Sequence, residues 1–223
     1  FGSIKIAKKM VDLAFKNGAD AIKNQCHILD EEMIPEAKKI KPSNANTSIY
    51  NVIKKNLMKF DDEKKLKSYV EKKGMIYLST PFSLRAANRL NKLGIKAFKI
   101  GSGEFNNIPL IKKIARFKKP LILSTGMNDI KSIGRTTKLL KKLNSKFALL
   151  HCKSEYPANM KTLKLDFINV LKNKYPNVPI GYSDHSSSII PCISAVAKGA
   201  SIIEKHFTDT KKRKGPDISC CMD

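Results

Sequence analysis

Apolar positions along the chain switch repeatedly between two rhythms. A stretch with apolar residues three and four apart ends at a glycine, and a short run rich in β-branched and aliphatic residues follows. Ile6, Met10 and Leu13 share one helical face and Gly18 closes that stretch, so 21–25 reads as a strand. Leu66, Tyr69 and Val70 mark a helix stopped by Gly74, with a strand over 75–80. Leu84, Ala87, Leu90 and Leu93 mark the next, stopped by Gly94, with a strand over 97–101. Pro109 suits the first turn of a helix reaching about 117, and a strand over 121–124 follows. The remaining pairs are a helix over 130–143 with a strand over 147–151, a helix over 165–172 with a strand over 179–183, and a helix over 188–198 closed by Gly199 with a strand over 201–206. Residues 33–47, with Pro35 and Pro42, form the longest irregular piece and suit a lid or substrate loop.

Strands joined in turn by helical crossovers must pair in parallel. The runs "AIK", "IYL", "LIL" and "FALL" are apolar on both faces, as buried parallel strands require. With no Gly-rich dinucleotide fingerprint after the first strand, the pattern favours a (β/α)₈ TIM barrel over an open doubly wound sheet. Seven of the eight strands are legible. Residues 1–223 are therefore expected to be a partial barrel domain whose first strand lies upstream.

A barrel places its chemistry where the strands end. Read in order, those ends carry Lys23 and Gln25, Thr80, Lys99 with Ser102 and Glu104, Ser124, Ser154 with Tyr156, Ser183 with His185, and Glu204 with His206. Ordinary turns would account for the hydroxyls alone. Lys23 and Lys99 sit within apolar runs, and a buried ammonium needs an anion, unless its stem snorkels to solvent. Two lysines and several hydroxyls would suit a phosphate and a carboxylate. His185 and His206 end consecutive strands, which lie roughly 5 Å apart in a sheet. They can share a divalent ion with positions left open for water and substrate, although a lone histidine is more often a core residue. His27 and His151 are read as local packing groups. Asp217, after the basic run 211–214, lies within reach of the same mouth or in a plain solvated turn.

The charge balance adds one competing reading. The chain has 223 residues and a net charge of +24, but only five of its 43 basic residues are Arg. Base readout and bidentate phosphate contacts favour Arg, so lysines spread over the helices read as a solvated surface that draws small anions. A basic polyanion-binding scaffold is the alternative. It predicts salt-sensitive nucleic-acid or lipid binding that survives loss of both histidines. Five cysteines without CxxC spacing argue against a disulfide framework or zinc knuckle and fit a reducing cytoplasm. No apolar run is long enough for a membrane span.

The segments "KNQ" (23–25), "STPFS" (79–83), "FKIGSGEFNNIPLI" (98–111), "LILSTGM" (121–127), "LLHCKSEYP" (149–157), "GYSDH" (181–185), "IEKHFT" (203–208) and "GPDISCCM" (215–222) resemble, in order, the sialic acid (N-acetylneuraminate) synthases. The resemblance implies a barrel followed by a small antifreeze-like domain, a homodimer in the full-length protein, and condensation of phosphoenolpyruvate with N-acetylmannosamine to give N-acetylneuraminate and phosphate with Mn²⁺ or Mg²⁺. It implies that Lys23, Thr80, Lys99, Ser102, Ser124, Ser154 and Ser183 hold phosphoenolpyruvate and that His185 and His206 hold the metal. Gln25, Asn44, Glu104, Tyr156 and Asp217 would face the amino sugar, with Lys23, Lys99, Glu104, Tyr156 and Asp217 closest to the chemistry. A legionaminic-type synthase using 2,4-diacetamido-6-deoxymannose would carry the same phosphoenolpyruvate motifs. Ser154 stands where relatives often have Asn, and Lys153 where Thr is commoner.

Overall fold

The computed structural model describes residues 2–42, 45–213, 215 and 217–223. It divides into two compact units, Phe1–Lys99 and Ile100–Asp223.

The first unit begins with α1 (Ile4–Lys16), which buries Ala7, Met10, Val11 and Ala14 at the spacing of one helical face. Strand β1 (Ala21–Cys26) pairs in parallel with β2 (Ile76–Pro81), in a register that sets Lys23 beside Leu78 and Gln25 beside Thr80. Between them lie α2 (Leu29–Glu32), a 3₁₀ turn at Pro35–Lys38, α3 (Ile49–Asn56) and α4 (Phe60–Lys72). Part of the stretch expected to be irregular is thus a tight turn, and α3 follows directly on it. Ser48 caps α3 by accepting from Asn51 N. After β2, Ser83 caps α5 (Leu84–Leu93) by accepting from Ala86 N at 3.1 Å, and β3 (Phe98–Ile100) pairs with β2 through Ser79 and Phe98.

In the second unit come α6 (Ile108–Ala115), β4 (Leu121–Ser124), α7 (Ile130–Lys142), β5 (Phe147–Cys152), α8 (Phe167–Lys174), β6 (Ile180–Asp184), α9 (Ile190–Ala197) and β7 (Ile203–Lys205). Strands β4 to β7 pair in parallel in chain order. Asp129 caps α7 by accepting from Ser132 N at 2.7 Å. The glycines expected to stop helices do so: Gly18, Gly74, Gly94 and Gly199 all have positive φ. Gly181 on β6 serves a different need. A Cβ there would meet the Ile202 carbonyl oxygen at 2.3 Å and Leu150 Cδ2 at 2.6 Å. Only a residue without a side chain lets the chain at 202 come this close.

The architecture is therefore an α/β fold of seven parallel strands, all at the positions read from the sequence. The eighth strand of the expected barrel is not among the described residues. Several boundaries shift by one or two residues; near the site, the last strand is only Ile203–Lys205, so His206 lies just past it, and the helix expected from 188 begins at Ile190. All five cysteines are free thiols. Burial pushes Cys26, Cys192 and Cys220 up to about 12, which keeps them protonated. No helix among the described residues is long and apolar enough to cross a membrane.

Candidate active site

In the first unit, Lys99 is fully enclosed at 2% exposure, as expected for an ammonium held within an apolar strand. Lys23 is only half-buried, which corrects the expectation that both strand lysines lie in the core. Its strand, β1, is enclosed at Ile22 and Cys26 but open at Gln25. Thr80 is buried, while Gln25 is exposed and its Oε1 lies 3.4 Å from His27 Nε2. His27 stacks on Phe82 with centroids 4.2 Å apart and bonds Glu32 at 2.8 Å, the local role read for it. Asn44 lies outside the described residues.

The second unit brings most of its expected site residues into three groups. The first surrounds Gly126. An ideal Cβ at Gly126 would meet Ser154 Oγ at 2.3 Å, Ser102 Oγ at 2.8 Å and the Cys152 carbonyl oxygen at 3.1 Å. Two hydroxyls from different loops thus converge on one bare backbone position, beside the buried Ser124 that ends β4. Asn128 ties those loops together by donating to the Ser102 carbonyl at 3.1 Å and the Gly126 carbonyl at 2.6 Å, and it accepts from Asn106. Met127 keeps a left-handed backbone at φ 60° and holds its thioether out to solvent.

The second group is aromatic. The His185 and His206 rings lie 5.5 Å apart at 42°. Tyr156 stacks on His185 with centroids 4.1 Å apart, and its hydroxyl donates to His185 Nε2 at 3.0 Å. On the other side of the ring, His185 Nδ1 donates to the Lys153 carbonyl at 2.8 Å. That bond fixes the tautomer and leaves Nε2 as the lone-pair nitrogen, the arrangement common in ligating histidines. Burial pulls the His185 pKa down, but the Cys152 sulfur, the Lys153 carbonyl and the Glu204 carboxylate more than offset this, and the net shift is upward. Burial drives the Tyr156 hydroxyl well above its ordinary range, helped by Cys152, Asp217, Cys220 and Glu204, so the phenol stays protonated.

The third group is polar. Ser183 is buried and donates to Glu204 Oε1 at 2.8 Å, directly across the β6–β7 register. Glu104 accepts from Asn107 Nδ2 at 2.6 Å, while Asn107 Oδ1 caps α6 by accepting from Leu110 N at 3.2 Å. Glu204 was read from sequence as a strand-end group beside His206, with which it shares a face two residues apart, but its bond to Ser183 was not. Two of these partners were given no role from sequence. Asn107 carries the signal of an N-cap two residues before Pro109. Nothing in the local sequence marks Asn128. His151 is buried against the Leu163 carbonyl at 2.7 Å, a local bond, and burial lowers its pKa. Among the described residues no group of three or more His, Cys, Asp or Glu could hold a metal ion. The two imidazoles are the side chains there that could offer ring nitrogens to an ion.

Imidazoles, hydroxyls and carboxylates gathered past the carboxyl ends of parallel strands are the layout of an α/β enzyme. A family model described as the NeuB family matches residues 10–223, and the chain belongs to that family. It is 38% identical over 229 residues to N,N'-diacetyllegionaminic acid synthase of Campylobacter jejuni, covering 100% of this chain and 68% of that protein. It is 32% identical over 226 residues to N-acetylneuraminate-9-phosphate synthase of Mus musculus, covering 100% of this chain and 63% of that protein. The chain thus spans about two thirds of the length of these curated relatives. Among solved structures it is similar to N-acetylneuraminic acid (sialic acid) synthetase of Leptospira borgpetersenii in complex with citrate. The TM-score is 0.91 at 35% identity, over 100% of this chain and 74% of that one.

Proposed function

We propose that the protein to which this chain belongs condenses phosphoenolpyruvate with N-acetylmannosamine and water, giving N-acetylneuraminate and inorganic phosphate. We assign a divalent ion, Mn²⁺ or Mg²⁺, to His185 and His206. The observation that carries the reading is the imidazole pair, 5.5 Å apart, with the Lys153 carbonyl holding the His185 tautomer, in a chain of the NeuB family. When bound, the ion supplies Lewis-acid polarisation of the acceptor aldehyde. Carbon 3 of phosphoenolpyruvate forms the new bond to that aldehyde carbon, and its oxygen takes up a proton. Water then adds at carbon 2, and the carbon–oxygen bond to phosphate breaks.

The residues of this chain have the properties those steps need. Ser102 and Ser154 converge as hydroxyl donors at the bare backbone of Gly126, and we assign both to the phosphoenolpyruvate anion. The family resemblance adds Lys23, Thr80, Lys99, Ser124 and Ser183 for the same anion, with the ammonium groups offsetting its charge. Tyr156 stays protonated and serves as a hydrogen-bond donor. Glu104, fixed by Asn107, and Asp217 are the carboxylates available for sugar hydroxyls or proton transfer, with Gln25 and Asn44 as further sugar contacts. The full-length protein is a cytoplasmic homodimer on this reading.

The greater identity to the legionaminic acid synthase than to the mouse enzyme favours a second acceptor, 2,4-diacetamido-6-deoxymannose. Phosphate release by the full-length protein, measured with each sugar in turn, separates the two. Metal-dependent release with N-acetylmannosamine is expected, and release with only the diacetamido sugar moves the assignment to the legionaminic branch. His185→Ala and His206→Ala should each abolish turnover while leaving the thermal melt cooperative. Turnover that survives both substitutions would sink the reading.

A further inference from the structure

Behind the imidazole pair, on the opposite face of β6 and β7, lies a buried ion pair with no role in the chemistry above. Ser183 faces Glu204 across the register, and the next residues, Asp184 and Lys205, face each other. Side chains alternate along a strand, so this second pair lies on the other side of the sheet. The Asp184 carboxylate and Lys205 ammonium meet at 2.5 Å, with side-chain exposures of 0% and 6%. Apart from the Cys192 thiol on α9, the contacts of the pair return to the short segment 182–186. Asp184 Oδ1 accepts from Ser186 N at 3.0 Å and from the Tyr182 hydroxyl at 2.9 Å. Its Oδ2 accepts from Ser186 Oγ at 2.9 Å and from the Cys192 thiol at 3.5 Å. Lys205 Nζ also donates to the Ser186 carbonyl at 2.5 Å.

The segment so bound is the one that carries His185. Asp184 precedes it, Ser186 follows it, and both are fastened to Lys205, the residue immediately before His206. A buried ion pair does little for net stability, because desolvation cancels most of the attraction, and an apolar pair of similar volume would join two strands as well. What an apolar pair cannot do is bond the Ser186 amide, hydroxyl and carbonyl at once.

We propose that Asp184 and Lys205 are positioning residues: a buried clamp that sets the distance and orientation of His185 relative to His206 by tying the backbone on either side of one to the strand of the other. The inference rests on the reading of those histidines as the metal pair, and the test keeps the two apart. The full-length protein is compared, metal-free, with the apolar double variant Asp184→Leu/Lys205→Met and with Ser186→Ala, which leaves the ion pair in place. Thermal melts report folding, imidazole ¹H–¹⁵N spectra report the His185 Nδ1 bond and ring setting, and Mn²⁺ titration followed by electron paramagnetic resonance reports affinity. Both variants should melt cooperatively, show shifted or broadened His185 signals, and bind Mn²⁺ about 10–100-fold more weakly, as when a partner behind a ligand is lost. Wild-type imidazole signals and affinity in the folded double variant would overturn the clamp. If the double variant does not fold, the same result in Ser186→Ala would overturn it. A wild-type protein that binds no Mn²⁺ would instead refute the metal reading, and the imidazole spectra alone would then decide the clamp.

Discussion

Gly126 shows how far one side chain matters at this site. Its missing Cβ is what allows Ser102 and Ser154 to approach the same point, and the Cys152 carbonyl closes the recess from behind. Gly126→Ala should leave a folded protein, destabilised by about 1–3 kcal/mol through overpacking. It should cut kcat/KM for phosphoenolpyruvate by on the order of 100-fold, because the two hydroxyls are pushed apart. Steady-state kinetics beside a denaturant melt check both halves, and an unchanged KM would mean that the recess does not hold the anion. The histidines, Tyr156 and the serines could be singled out from sequence because their residue types stand out at strand ends. Their partners could not. The carbonyls of Lys153 and Leu163 that orient His185 and His151 have no side-chain signature, and Asn128 acts through a fold-dependent approach of two loops. The division of the strand-end groups between anion and sugar comes from the resemblance and not from periodicity, and it stands as part of the proposal.

The elements themselves were more legible than the site. Strands β1, β2, β3 and β7 follow helix-stopping glycines, four strands carry runs apolar on both faces, and all seven appear close to where that pattern put them. The helix α3 was missed although Ile49, Val52 and Ile53 have helical spacing, because the apolar stretch is short and follows directly on a proline-containing irregular piece; it buries no residue fully. Caps mark boundaries that periodicity blurs, and the one at α7 is sensitive to pH. Hydrogen bonding from Ser132, first from its backbone amide, holds the Asp129 pKa below its ordinary value. A depressed carboxylate contributes stability that is present above its unfolded pKa and is lost as pH falls through the folded one. Asp129→Asn keeps an acceptor for the Ser132 amide but carries no charge. The melting-temperature advantage of the wild type over this variant should therefore be full at neutral pH and shrink as pH falls below about 4. An advantage constant down to pH about 3 would show that the charge contributes nothing.

At the scale of the molecule the dominant property is charge. A net +24, carried mainly by lysine, creates a field that attracts small anions, and on the proposed function the enol phosphate would be one of them. Salt screens such a field over roughly 10 Å at about 0.1 M. Raising the salt from about 0.05 to about 0.5 M should therefore raise the KM for phosphoenolpyruvate several-fold and leave kcat nearly unchanged. A kcat that falls while KM stays constant would locate the salt effect in the chemistry. The same measurement on DNA or anionic vesicles tests the polyanion alternative, which the histidine substitutions should leave intact. Charge, unlike the fold, tolerates drift, since one lysine more or less alters a field only slightly. Gly181 marks the opposite extreme. With the Ile202 carbonyl and Leu150 in the space a methyl would fill, that position is closed to every other amino acid unless the neighbouring chain retreats. A methyl at 181 would therefore act as a wedge between β6 and the chain entering β7, and its effect would be felt at their far ends, where His185 and His206 stand.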